Sequence, residues 1–477
     1  MGTDESYWVI RLLLQRGIAF IYLMAFLVAL NQFRPLCGDR GLLPAVDFMK
    51  RVPFRSAPSI FYFFKGDRAY LLCAVAGVLL SLFALSGVSE SGGVVRSMLI
   101  WFLLWALYLS FVNIGQTFYA FGWESLLLES GFLAIFLGPS HMAPQWMVIW
   151  LFRWLAFRVM FGAGMIKLRG DPCWRDLTCL DYHFESQPMP NPLSRFFHRL
   201  PPSVHKLGVL FNHLAEVALP LLFFTPQPFA GIAAAGCLLF LGSIIVSGNF
   251  AWLNWLTAVL CLSPLDGALL AGMFPLYLPP TIPPPPLPNA LTWGLVVLVA
   301  IKSLEPFRNL LSSAQVMNTS FDPFHLVNTY GAFGSITRER YEIVLEGSDE
   351  MKVTELTQWR EYEFRGKPGN PGRRPPFIAP YHLRLDWLMW FEAMPSRGFS
   401  PWFIHLVIKL LQGDRQTVGL LAENPFPEDP PRFIRALYYR YVFGEKIWWN
   451  RELIGEYLPP LSIDAPVLKK VLSSHGR

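Results

Sequence analysis

GMIKLRGDPCWRDLTCLDYHFESQPMPNP, residues 164–192, is the stretch on which the reading of this chain turns. It follows directly on a long apolar run, 146–166, and changes character within a few residues. Lys167 closes the apolar run, Cys173 and Cys179 lie six apart, and Trp174 sits among Asp171, Arg175 and Asp176. A generic solvated loop needs none of these residues in particular. Their combination beside a hydrophobic segment points to a built site at a membrane edge, with Asp171, Trp174, Arg175 and Asp176 as its signature.

Working outward, the composition places the run in a membrane protein. Hydrophobic residues make up 53% of the 477 and charged residues 16%, where a soluble domain carries about 25%. Mean hydropathy is +0.36. Forty Phe and 17 Trp suit lipid contact and interfacial anchoring. The net charge of +6 is modest and no basic run interleaves with aromatics, so nucleic acid is not an expected partner. A span needs about 20 apolar residues. The candidates are 18–30, extended upstream through Arg11 and Arg16, then 69–85, 94–112, 126–137, 146–166, 207–224, 229–246, 252–274 and 291–304. The expected fold is a polytopic α-helical membrane protein of about eight to nine transmembrane helices, with a C-terminal α+β domain. The membrane domain is 1–306, with extramembrane loops 31–67 and 168–206, and the C-terminal domain is 307–477. The proline-rich run 279–288 should be an extended connector.

In the C-terminal part, 340–346 alternates as a strand and 357–364 suggests a second. Residues 366–376 read as a loop. Ser400-Pro401 opens a helix that stops at Gly413. Asp429-Pro430-Pro431 precedes Phe433, Ile434, Leu437, Tyr438 and Tyr441 at helical spacing, which predicts a further helix.

Charges inside spans cost about 2.5–3.5 kcal/mol on insertion scales, so Arg153 and Arg158 need partners, and Glu124 and Glu129 are available. Lys167, Asn212, His213, Glu216, Glu124 and Glu129 are expected to converge on one polar pocket at the non-cytosolic end of the bundle. His213 and Glu216 are three apart on one helix face and suggest a hydrogen bond that orients the imidazole. Metal binding by such a lone pair would need a second one, and no metal or cofactor is expected. G-x-S-x-G, Walker and dinucleotide motifs do not occur. A desolvated Lys167 would serve as a base, with His213 and Glu216 beside it; the plainer role is snorkelling to head groups.

Cys173 and Cys179 have two readings: a disulfide on the non-cytosolic side, or free cytosolic thiols. The loops and C-terminal domain that share one side hold most of the Lys and Arg, which the positive-inside rule would place in the cytosol. The cysteine pair argues the reverse. The orientation expected is N-terminus cytosolic and C-terminal domain lumenal or periplasmic.

Five blocks resemble the lipase maturation factor family: GDRGLLP at 38–44, GQTFYAFGWESLLLESGFL at 115–133, the 164–192 signature, NHLAEVALPLLFF at 212–224, and NTYGAFGSITRERYEIVLEGS at 328–348. The resemblance implies a polytopic endoplasmic reticulum membrane protein whose lumenal parts assist folding and homodimer assembly of secreted lipases. Those clients and membrane lipid would be its partners. In a bacterial member the membrane would be the inner one. A shorter likeness, AGMIKLRGDPCW at 163–174, is similar to the membrane domain of vitamin K-dependent γ-carboxylases, and would make Lys167 a base acting on a lipid-soluble cofactor or a protein substrate.

Overall fold

The computed structural model describes residues 4–273, 280–394 and 398–475. Seven of the described helices are long and apolar enough to cross a membrane: α1 Tyr7–Cys37, α2 Asp67–Ser86, α3 Val94–Ile114, α4 Trp146–Arg169, α5 Pro202–Phe224, α6 Phe229–Ser247 and α7 Pro286–Leu311. The chain is an integral membrane protein with a small C-terminal sheet domain.

Two expected spans take another form. Residues 126–137 fall in a 13-residue helix, Gly122–Ala134, nearly every residue of which is buried. At about 1.5 Å per residue it is too short to span alone. Residues 252–274 break into Leu253–Leu260 and Gly267–Met273, with Pro264 between them; Phe274 lies outside the described residues. The Gly122–Ala134 helix is enclosed by its neighbours, so its ends meet protein rather than lipid. The proline-rich connector is extended over 280–285, where Ile282 donates to the His141 carbonyl and accepts from Ala143. Helix α7 then starts at Pro286, earlier than the sequence suggested, because prolines in a first turn forfeit no helical hydrogen bond. Pro279 lies outside the described residues.

Hydrogen bonds sort the connections into two ends. At one, Arg11 donates to the carbonyls of Met142 (2.6 Å) and Ser140 (3.0 Å), Arg16 pairs with Glu90, and Gln227 reaches the Pro264 carbonyl. At the other, Gln187 donates to Ser247, Arg169 to Leu310, and Gln32 to His382 of the C-terminal domain. The signature loop and the C-terminal domain therefore share one end of the bundle.

The C-terminal domain holds a four-stranded antiparallel sheet in the order β2-β1-β3-β4, with β1 Arg340–Ser348, β2 Arg360–Glu361, β3 Phe433–Phe443 and β4 Trp449–Leu461. Ile343 stands opposite Tyr438, and Tyr441 opposite Arg451. The strand expected over 357–364 shrinks to two residues. The helix expected after Pro431 is instead the central strand β3. Its aromatic and β-branched density favours a strand. Because both of its faces are partly covered, it shows no clean alternation, and Phe433, Ile434, Leu437, Tyr438 and Tyr441 mimic helical spacing. The helix after Ser400 forms as Pro401–Leu411, and Gly413 follows at φ +63°, the left-handed position that ends a helix.

Three buried cations weld the domains. Arg384 donates to Glu124 (2.7 Å) and to the Phe118 carbonyl (2.6 Å), with its guanidinium 3.5 Å from the Tyr119 ring centre. Arg158 pairs with Glu129, whose carboxylate also accepts from Asn328 and from the Tyr330 hydroxyl at 2.7 Å. Arg340 is paired with Glu342, itself bridged to Lys367, and donates to the signature-loop carbonyls of Glu185 and Pro188. Arg153 has no carboxylate partner among the described residues. It donates to the Ser263 carbonyl at 3.0 Å and lies over the Trp150 ring.

Candidate functional site

The last turn of α4 carries Lys167 inward. Its ammonium donates to Asn212 Oδ1 at 2.8 Å and to both oxygens of Glu216 at 2.7 and 2.8 Å. Asn212 Nδ2 donates to Glu216 Oε2 at 3.1 Å. Asn212 and Glu216 are one turn apart on α5, so they share a face. All three side chains are buried.

The local sequence explains this presentation of Glu216. Pro220 has no N–H to give, and its ring crowds the carbonyl four residues back, that of Glu216. The helix responds with a π turn over Leu214–Ala218, followed by a 3-10 stretch, Leu219–Phe224. Such π turns occur often at functional positions. Gly164 lets α4 approach this turn: a Cβ there would lie 2.7 Å from Val217 and 3.1 Å from the Glu216 backbone.

The signature loop roofs the triad. Trp174 places its ring 4.8 Å from Lys167 Nζ and donates its indole N–H to the Phe333 carbonyl at 2.9 Å. His213 does not bond Glu216; its Nε2 meets the Trp174 carbonyl at 2.9 Å. Asp171 caps the turn at Cys173 and holds Arg338 at 2.7 Å. Cys173 and Cys179 form a disulfide, Cα atoms 4.8 Å apart, packed with Trp174, Val209 and Ile336. Closing so short a loop is worth about 2 kcal/mol in the chain-entropy account. The Cys173→Ser/Cys179→Ser variant should therefore melt measurably lower in detergent, with Trp174 fluorescence shifted as the roof loosens.

A cavity of about 250 Å³ opens beside the triad, lined by Lys167, Trp174, His183, Asn212, Glu216 and Asn254 together with apolar residues of α5 and α6. The His183 ring stacks on Phe250 and meets Phe333 edge-on. Burial, with Lys167 adding to it, drives its pKa down to about 3. His325 and His382 are lowered by burial too, His325 to about 4. A histidine held neutral in the fold but titrating near 6.5 when unfolded contributes stability above that pH and loses it on acidification. Thermal stability should thus fall as pH drops from about 6.5 towards 4, by at most about 1.4 kcal/mol per pH unit for each histidine. His183→Gln should flatten the slope of melting temperature against pH.

The remaining expected residues lie elsewhere. Glu124 and Glu129 do not line this cavity; Arg384 and Arg158 hold them in separate clusters. Each carboxylate is paired with a buried guanidinium, and for Glu124 that cation comes from the far C-terminal domain. Arg175 and Asp176 are exposed on the signature loop. Among the described residues no three His, Cys, Asp or Glu side chains gather as a metal site. Asn254, Arg338, Arg340 and Arg384 escaped the sequence reading. The block at 328–348 was a usable signal for the first two arginines; nothing local marked Asn254 or Arg384.

A multi-span bundle, a buried Lys–Asn–Glu cluster under a disulfide-closed loop, and a sheet domain locked to that loop by arginines define a class: membrane proteins in which bundle and extramembrane domain form one unit. Residues 9–272 match the lipase maturation factor transmembrane domain and residues 326–459 the lipase maturation factor C-terminal domain. The chain belongs to the lipase maturation factor family. It is 43% identical over 508 residues to lipase maturation factor 1 of Bos taurus, covering 96% of this chain and 90% of the relative. Human lipase maturation factor 1 is also 43% identical, at 96% and 89% coverage. Lipase maturation factor 2 of Xenopus laevis is 31% identical, at 96% and 83%. No solved structure matches.

Proposed function

We propose that this chain is a membrane-embedded maturation factor that assists folding and assembly of secreted lipases. The carrying observation is that relatives named for that role align with 96% of the chain, through both domains. In this reading the N-terminus is cytosolic, and the signature loop and C-terminal domain face the endoplasmic reticulum lumen, where the disulfide is stable. Incompletely folded lipase meets the cleft between bundle and C-terminal domain, where Phe121, Met317, Trp390 and Phe391 keep part of their surface accessible; apolar surface of this kind suits a folding client. The rival assignment of Lys167 as a catalytic base is not favoured, since its ammonium is already engaged by Glu216 and Asn212.

The test is complementation. Cells lacking their own family member should regain secreted-lipase specific activity when this chain is expressed. Wild-type expression without recovery for any lipase would refute the reading. A C-terminal epitope should resist protease in sealed microsomes, and digestion there would invert the topology.

A further inference from the structure

We propose that the cavity beside Lys167 is a binding site for a single-chain, uncharged amphiphile, a lipid whose head group carries hydroxyl or ester oxygens rather than phosphate or carboxylate. Its placement is the first argument. Helices α5 and α6 pack against each other through Leu219–Phe224 at the far end, and the cavity lies between their signature-loop ends. The π turn and Pro220 interrupt the regular α-helical pattern of α5 between these two ends. Val204 on α5 and Ser243 on α6 line the cavity and are exposed. Its mouth therefore opens sideways between two membrane-length helices, where an amphiphile enters from the bilayer.

The lining chooses the chemistry. Phe197, Phe211 and Phe240 supply walls for an aliphatic chain. At about 250 Å³ the space is just under the range of about 300–1,000 Å³ usual for drug-sized ligands, which suits one chain rather than two. The charges balance: Lys167 is matched by Glu216, His205 on the wall is held by Asp181 at 2.7 Å, and His183 is neutral. A buried phosphate or carboxylate would find no spare cation, and an unmatched buried charge is costly.

Two neutral polar groups have no hydrogen-bond partner among the described residues. Asn254 is 8% exposed and lines the cavity, yet its carboxamide makes no hydrogen bond to another described residue. The His183 imidazole, also on the wall, makes ring contacts only. Polar groups on a cavity wall that lack a protein partner depend for their hydrogen bonds on what fills the cavity. A hydroxyl or ester oxygen accepts from the Asn254 N–H, and a hydroxyl donates to its carbonyl or to the free His183 nitrogen. The inference rests on this cavity and stands whether or not lipases are the clients.

The test uses the full chain in phosphatidylcholine nanodiscs and a monoacylglycerol bearing a photoreactive diazirine on its chain. Saturable cross-linking to peptides within 202–213 and 239–254 is expected, competed by monooleoylglycerol and not by oleate or added phosphatidylcholine. Asn254→Leu removes an unpaired polar group, so the fold should keep its melting temperature while the apparent Kd rises about tenfold. Gly208→Phe, whose Cβ would meet only the flexible end of Leu180, places bulk on the cavity wall and should abolish labelling. Non-saturable labelling, or labelling unchanged in Asn254→Leu, overturns the proposal. Equal competition by phosphatidylcholine points to bulk lipid, by oleate to an anion site, and by an apolar peptide to a client segment; each of these also overturns it.

Discussion

Arg384→Met is expected to destabilise the protein by about 3–5 kcal/mol, the usual loss when one member of a buried ion pair is removed, and to release the C-terminal domain from the bundle. Arg384 and Glu124 are both fully buried. Without the guanidinium, Glu124 keeps the Tyr108 hydroxyl as a donor but loses its one charged partner among the described residues, and the Phe118 carbonyl loses the Arg384 donor. The segment around Arg384 is inserted deeply. Gln32 of α1 grips it twice, accepting from the Arg384 N–H at 3.0 Å and donating to the His382 carbonyl at 2.7 Å. The His382 ring sits among Phe121, Trp123 and Trp387. Limited proteolysis in detergent should cut between bundle and C-terminal domain much faster in the variant. Arg384→Met/Glu124→Leu should recover most of the loss, because removing both charges removes the desolvation penalty too. A double variant as unstable as the single would show that the packing of Arg384 against Tyr119, not its charge, holds the domain.

The second large effect is expected at the Lys167–Glu216 pair. Glu216→Ala strands an ammonium held otherwise by Asn212 Oδ1 and the Trp174 face, and should again cost about 3–5 kcal/mol. Lys167→Met alone should cost a similar amount by stranding Glu216. The double variant, Lys167→Met/Glu216→Leu, separates structure from chemistry. If the pair holds α4 against α5, melting temperature and lipase maturation recover together. If Lys167 acts on a substrate, the double variant folds and remains inactive. Thermal melts with a secreted-lipase activity assay on the same preparations read both.

Several elements were legible in the residues alone. Apolar length revealed the membrane helices, because hydrocarbon thickness demands about 20 residues in each. The signature loop announced itself through Lys167, Trp174 and the cysteine spacing, since membrane-edge charges and paired thiols are local features. The convergence of Lys167 with Asn212 and Glu216 followed from two consecutive helices with those residues at neighbouring ends. His213 was placed on the right helix but given the wrong partner: Trp174 descends over it from the loop.

What the sequence determined by itself was the class of solvent each segment meets and the residues too costly to leave unpaired. Length, hydropathy and charge are properties of a segment, and a bilayer reads them segment by segment. Only the tertiary structure decided who pairs with whom. Glu124 and Arg384 are separated by 260 positions, and no periodicity within a window carries that choice. The same holds for β3, whose aromatic spacing served helix and strand equally until β1 and β4 took its two edges. Sheet pairing and buried ion pairs are settled by which surfaces meet, and that is a property of the whole packed chain.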